Sequence, residues 1–260
     1  MSGIAQAFAK GKAFLPFLTC GDPDLSTTAE IVRACAEAGA DLIELGIPFS
    51  DPTAEGPVIQ AANVRALSGG VTTDRIFDMV REIRQNVAVP LVFMTYANVV
   101  FSYGTECFAD RAADIGMDGL ILPDVPFEEK GEFAPAFAQR GLDFISLIAP
   151  TSQGRIAAIA REAQGFVYCV SSLGVTGERS SITTDIGSMV RLVHEVNPGI
   201  PCAVGFGIST PDQAAAMAKQ ADGVIVGSAI VKLCAQYGRA AVSPVRDYVA
   251  EMKAAVRRVG

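Results

Sequence analysis

The stretch "LIELGIPFSDPTAEGP" (Leu42–Pro57) starts as a buried β-strand and ends as an exposed, turn-rich loop. Its apolar run carries a carboxylate, Glu44, and a second one, Glu55, lies beyond Pro48 and Pro52. A charge inside an apolar strand costs several kcal/mol unless it is paired, protonated or used. Alternation along "DLIELGI" puts Leu42 and Glu44 on one face and Ile43 and Leu45 on the other. Which face is which depends on what surrounds this strand.

Working outward, short β-branched or apolar runs alternate with helical patterns along the whole chain. The strands expected are "AFLPFLT" (Ala13–Thr19), "LIELG" (Leu42–Gly46), "LVFMTY" (Leu91–Tyr96) and "GLILP" (Gly119–Pro123). They continue with "FISLIAP" (Phe144–Pro150), "FVYCVS" (Phe166–Ser171), "CAVGFG" (Cys202–Gly207) and "GVIVG" (Gly223–Gly227). Helical stretches fill the gaps. In "STTAEIVRACAEAGA" Ser26 is placed to cap and Gly39 to terminate, and in "TPDQAAAMAKQA" Pro211 falls near the first turn. Eight strands, each followed by helix, in 260 residues fit a closed (β/α)₈ barrel, with a doubly wound open sheet as the alternative. In a barrel, functional residues sit at the C-terminal strand ends and in the loops that follow them.

That rule selects candidates. If Ile43 and Leu45 pack against helices, Glu44 points into the barrel mouth, where burial raises its pKa and lets it both give and take a proton. The bland alternative is a glutamate paired with a basic neighbour. The loop after it is stiffened by Pro48, Pro52 and Pro57, and Glu55 either leans back over the mouth or is a solvated loop acid. Glycine-bearing strand ends cluster late in the chain: "SSLGVTGERSS", "GFGIST" and "VGSAIV", the last opening a helix with Ser228 just inside it. Glycine lets backbone N–H groups approach an anion, a helix N-terminus adds a favourable dipole, and barrels commonly hold phosphate at loops seven and eight. The polar segment "SSLGVTGERSSITTD" has the composition of a lid, or of an ordinary exposed loop. Phe17, Met94, Tyr96, Ile148, Tyr168 and Phe206 sit near strand ends, as core or as walls for a flat apolar ligand.

Composition narrows the class. Half of the residues are hydrophobic, 19% are charged, and the net charge is −7, which argues against a nucleic-acid surface. Six scattered cysteines without a CxxC pair read as those of a reduced, cytoplasmic protein, and a single histidine, His194, makes a metal site improbable. No apolar run approaches membrane-span length, and the N-terminus lacks the layout of a secretory signal.

These residues, in this order, resemble the tryptophan synthase alpha chain family. "PFLTCGDP", "LIELGIPFSDP", "EGPVIQAANVRAL", "TYANVVF", "DVPFEE", "GVTGERS", "GFGIST" and "GVIVGSAIV" follow one another in register between residues 16 and 231. The resemblance implies an α/β fold, a single (β/α)₈ TIM barrel over residues 1–260 with an extra N-terminal helix and additional loop helices. It implies a lyase that cleaves indole-3-glycerol phosphate to indole and glyceraldehyde 3-phosphate without a cofactor, in an α₂β₂ complex with a pyridoxal-phosphate beta chain. By position, Glu44 matches the family's acid–base glutamate, and Glu55 the acid facing the indole N–H. Tyr168 matches the active-site tyrosine, and Thr176 the lid threonine. Gly177, Gly207, Gly227 and Ser228 match the phosphate binders. Phe17, Met94, Tyr96, Ile148 and Phe206 match the indole pocket, and Asp51 and Pro52 the loop presented to the beta chain. The sequence departs from the family at "TAEGP", where "LADGP" is usual, so the second acid is one methylene longer. Met94 and Pro123 also stand where other residues are frequent. The alternatives are a regulatory subunit whose chemistry Glu55 has spoiled, a stand-alone indole-producing lyase, and another phosphate-binding barrel enzyme such as an isomerase.

Overall fold

The structure is a computed structural model that describes residues 3–152, 154–171, 185–205 and 207–259. Eight parallel strands close into one barrel in chain order: β1 (Ala13–Thr19), β2 (Ile43–Gly46), β3 (Leu91–Met94), β4 (Gly119–Ile121), β5 (Asp143–Ile148), β6 (Val167–Val170), β7 (Cys202–Gly205) and β8 (Gly223–Val226). The register closes where Ala13 of β1 pairs with Gly223 of β8, which excludes the open sheet. Most strands stop one or two residues before the end that their apolar runs suggest. Tyr96, for example, leaves the ladder to precede a short helix, Ala97–Tyr103.

The period of two sorts the strand residues into two clusters. Phe17, Leu42, Val92, Met94, Ile121, Ile145, Tyr168 and Ile225 fill the barrel interior. Ile43, Leu45, Leu91, Phe93, Cys169 and Val204 face outward to pack against the helices. A helix at the N-terminus, Gly3–Phe8, plugs the foot of the barrel. Its Ile4 and Ala7 join the interior cluster, and the Phe8 ring lies 5.7 Å from that of Phe166.

Two local details refine the sequence reading. The first long helix, Leu25–Glu37, is capped by Asp24 and not by Ser26: the Asp24 carboxylate accepts the Thr27 N–H at 2.8 Å, and Ser26 is exposed in the first turn. Both residue types cap well, and the extended backbone at Asp24 decides the matter. The helix ends as expected, with Gly39 at φ +96°. Helix Pro211–Ala218 begins with Pro211 and is closed by a reciprocal box between Thr210 and Gln213. No helix among the described residues is long and apolar enough to cross a membrane.

Candidate active site

Because Ile43 and Leu45 face the helices, Glu44 points into the barrel. It stands level with Phe17 of β1 and Val92 of β3, is fully buried, and neither of its oxygens has a hydrogen-bond partner among the described residues. Burial pushes its pKa well above the ordinary glutamate value of 4.5, and the nearby Glu55 charge pushes it further. Paired basic residues, the bland explanation, do not contribute to that shift.

Glu55 turns inward. It is 4% exposed and lines the same cavity as Glu44, although it lies in a loop. The loop is tied down around it. The Glu55 N–H donates to the Pro52 carbonyl at 3.1 Å, and the Gln60 amide donates to the Glu55 carbonyl at 2.7 Å. The Tyr96 hydroxyl accepts the Ala54 N–H at 3.0 Å, and the Tyr96 ring stacks on Phe49 with centroids 5.3 Å apart. Tyr168, on β6, completes the acidic cluster. Burial raises its pKa well above 10, and Glu44 and then Glu55 raise it further, so all three groups share one field.

The cavity, counted together with its solvent-open mouth, spans about 420 Å³. Phe17, Met94, Ile59, Ile208 and Ile225 supply apolar walls beside Glu44, Glu55 and Tyr168. Gly207, Gly227 and Ser228, just beyond the ends of β7 and β8, line it as well. Gly227 precedes helix Ser228–Tyr237, whose N-terminus carries no side-chain cap, so its first N–H groups remain available to an anion. Gly207 has φ +80°, a conformation that a residue with a Cβ adopts only under strain.

Two expected wall residues stand elsewhere. Ile148 faces outward into the helix-side cluster with Phe144, because the alternation of β5 gives the interior face to Ile145 and Leu147. Tyr96 is buried behind loop two as its anchor and does not line the cavity. Ile59, Ile208 and Ile225 were not singled out from sequence. Ile225 had a legible signal, its alternation with outward-facing Val224 and Val226 in β8. Asp51 is exposed and Pro52 partly so, both on the outer side of loop two. Thr176, Gly177 and Phe206 lie outside the described residues.

Away from the mouth, the donor atoms of His194, Cys202 and Asp222 lie within 4.8 Å of one another. Asp222 already accepts the Cys202 N–H at 2.9 Å and sits 3.2 Å from His194 Nε2, with Lys12 at 3.8 Å. That network satisfies the carboxylate and places a cation beside it.

A closed (β/α)₈ barrel that holds a dry acid, an apolar wall and an uncapped helix N-terminus in one cavity defines an acid–base enzyme acting on a phosphorylated aromatic or apolar substrate. The chain belongs to the tryptophan synthase alpha chain family, whose model matches residues 4–257. It is 49% identical over 257 residues to the tryptophan synthase alpha chain of Lactiplantibacillus plantarum, covering 98% of this chain and 97% of the relative. Against the protein of the same name from Lacticaseibacillus casei it is 47% identical over 256 residues, covering 98% and 96%. Among solved structures, it superposes on Mycobacterium tuberculosis tryptophan synthase with a TM-score of 0.89 at 37% identity, covering 98% of each chain. A tryptophan synthase complex from Pyrococcus furiosus gives 0.83 at 34% identity, covering 94% of this chain and 99% of the other.

Proposed function

We propose that this chain cleaves indole-3-glycerol phosphate to indole and glyceraldehyde 3-phosphate, with Glu44 as the proton carrier. The observation that carries the assignment is the fully buried Glu44 carboxyl, without a hydrogen-bond partner among the described residues and facing Glu55 and Tyr168. A buried carboxyl of raised pKa holds its proton to a higher pH than a free glutamate and, once ionised, takes a proton back more readily. Glu44 protonates carbon 3 of the indole ring and becomes a carboxylate. It then removes the proton of the glycerol hydroxyl next to the breaking bond. The carbon–carbon bond opens, its electrons return to the ring, and indole and the aldehyde separate with Glu44 protonated again. The net transfer is one proton, from hydroxyl to ring carbon.

Glu55 serves as the fixed anion beside the indole nitrogen. Positive charge develops there only after carbon 3 is protonated, so its contribution falls on the transition state. Its inward, tied position supports this role despite the extra methylene, and weighs against a purely regulatory subunit. Gly207, Gly227 and Ser228, joined by Gly177, hold the phosphate, while Phe17 and Met94 face the indole ring. Tyr168 flanks the two carboxyls. No cofactor or metal enters this scheme.

The partner we assign is a tryptophan synthase beta chain, in an α₂β₂ assembly that receives the indole. Asp51 and Pro52 form the contact loop. The helix that follows Tyr96 carries Phe101, which is 73% exposed, and Tyr96 itself packs on Phe49 of the contact loop. Purified protein supplied with indole-3-glycerol phosphate, with and without beta chain, tests the assignment. Indole release in the complex supports it. No release from a folded complex means a regulatory subunit, and full release without stimulation by beta chain means a stand-alone lyase.

A further inference from the structure

Gly46 ends β2, two residues beyond Glu44 and on the same interior face. Its register partner is Thr19, but the ring of Phe17 occupies the space in front of it. A Cβ placed on Gly46 would lie 2.6 Å from Phe17 Cζ and 2.8 Å from Cε2. On the other flank, a Cβ on Gly227 would lie 3.3 Å from Phe17 Cδ1 and 3.4 Å from its Cβ. The ring therefore stands on Gly227 of the β8 end and leans its tip across Gly46 of the β2 end. Phe17 is level with Glu44, so its tip reaches the layer just above the carboxyl, toward the mouth. The backbone at Gly46 is not left-handed, and its carbonyl accepts the Cys20 N–H at 2.9 Å as any strand residue's would. Nothing about that conformation requires glycine; the ring does, with the Leu18 carbonyl oxygen 3.3 Å away as a milder second contact.

We propose that Gly46 is a positioning residue: its missing side chain lets the Phe17 ring roof Glu44, which keeps the carboxyl dry and sets the aromatic wall of the cavity. The inference rests on Glu44 being the proton carrier. The groups facing Glu44 are few. Phe17 from β1 and Val92 from β3 carry no charge, Tyr168 approaches from β6 and Glu55 from loop two. Among the described residues that set holds no cation, so exclusion of water acts on the carboxyl together with the Glu55 charge, and the ring is part of what excludes the water.

The test is a double-mutant cycle of Gly46→Ala and Phe17→Leu, read by the pH dependence of kcat/KM, by affinity for indole and by melting temperature. Alanine at 46 displaces the ring tip and admits water, so Glu44 loses its proton at lower pH. The alkaline limb of kcat/KM then moves to lower pH, by about one unit for a tenfold change in proton affinity. Leucine at 17 lacks the two atoms that collide, and the new methyl fills their place. The double variant should therefore exceed the product of the single effects on order of tenfold, within the range found for residues in contact. A Gly46→Ala enzyme with the parent's alkaline limb and indole affinity overturns the proposal. So does a double variant whose effects simply multiply, or a loss confined to melting temperature. If Glu44→Gln itself remains active, the assignment of Glu44 fails instead, and the indole-affinity arm still decides whether Gly46 sets the ring.

Discussion

At the foot of the barrel, Asp41, Asp118 and Asp222 each precede an even-numbered strand and accept an N–H at the start of the odd-numbered strand before it. Asp41 takes the N–H of Phe14 at 2.7 Å, Asp118 that of Leu91 at 2.9 Å and Asp222 that of Cys202 at 2.9 Å. Each also has a basic side chain beside it: Lys253, Arg84 and His194 respectively. At the mouth, Glu44 is more deeply buried than any of these and has neither an N–H nor a cation among the described residues. The foot uses acids to finish backbone hydrogen bonding, where a paired carboxylate is stable. The mouth holds an acid whose ionisation is opposed, a state that costs stability and suits proton transfer.

Substitution at the two ends should therefore separate catalysis from stability. Glu44→Gln should lower turnover at least about a hundredfold, the usual scale for a general acid–base group. Its effect on stability should have the opposite sign at high pH. Because folding raises the Glu44 pKa above 4.5, its contribution favours the fold below that value and is lost as pH climbs through the folded pKa. Melting temperature of the parent should then fall relative to Glu44→Gln as pH rises, and parallel curves would contradict the account.

Within the mouth, Glu55→Gln should reduce cleavage on the order of a hundredfold while KM changes little, because the charge it meets exists only in the transition state. Glu55→Asp should change turnover only several-fold. A Glu55→Gln enzyme with parent turnover would remove the second carboxylate from the mechanism. At the foot, Asp118→Asn should leave turnover unchanged and cost about 1–3 kcal/mol in a denaturant titration. It weakens the acceptor for Leu91 and leaves Arg84, a partly buried cation, without its counter-charge. The smallest effect should come from Ser228→Ala. Loss of one hydroxyl should raise KM several-fold, as for a hydrogen bond of about 1 kcal/mol, and leave affinity for free indole unchanged.

The contrast also shows what the sequence could reveal. The strands were legible because Val, Ile, Leu and Phe runs recur between helical patterns, and Glu44 was legible as a carboxylate that breaks such a run. Parity set it opposite Ile43 and Leu45, and the packing of those two against the helices fixes its inward direction. Parity alone does not say which face is interior. Ile148 reads as a strand-end wall residue, yet it shares the outward face of Phe144, while Ile145 and Leu147 face inward. Tyr96 looks like strand because it continues an apolar run, yet its hydroxyl is spent on Ala54. The direction of Glu55 could not be read from its loop, since hydrogen bonds to Pro52 and from Gln60 fix it. The foot acids left a faint trace, an aspartate just ahead of β2, β4 and β8. Only the neighbouring strand shows what each one caps.

Burial and the neighbouring Glu55 should let the Glu44 carboxyl keep its proton to a higher pH than a free glutamate, through neutrality. Difference infrared spectroscopy of the parent against Glu44→Gln, recorded at neutral pH without substrate, measures this directly. The parent should show the carbonyl stretch of a protonated carboxylic acid, absent in Glu44→Gln and lost as pH rises along the alkaline limb of kcat/KM. A difference spectrum containing only the bands of an ionised carboxylate at neutral pH would contradict it.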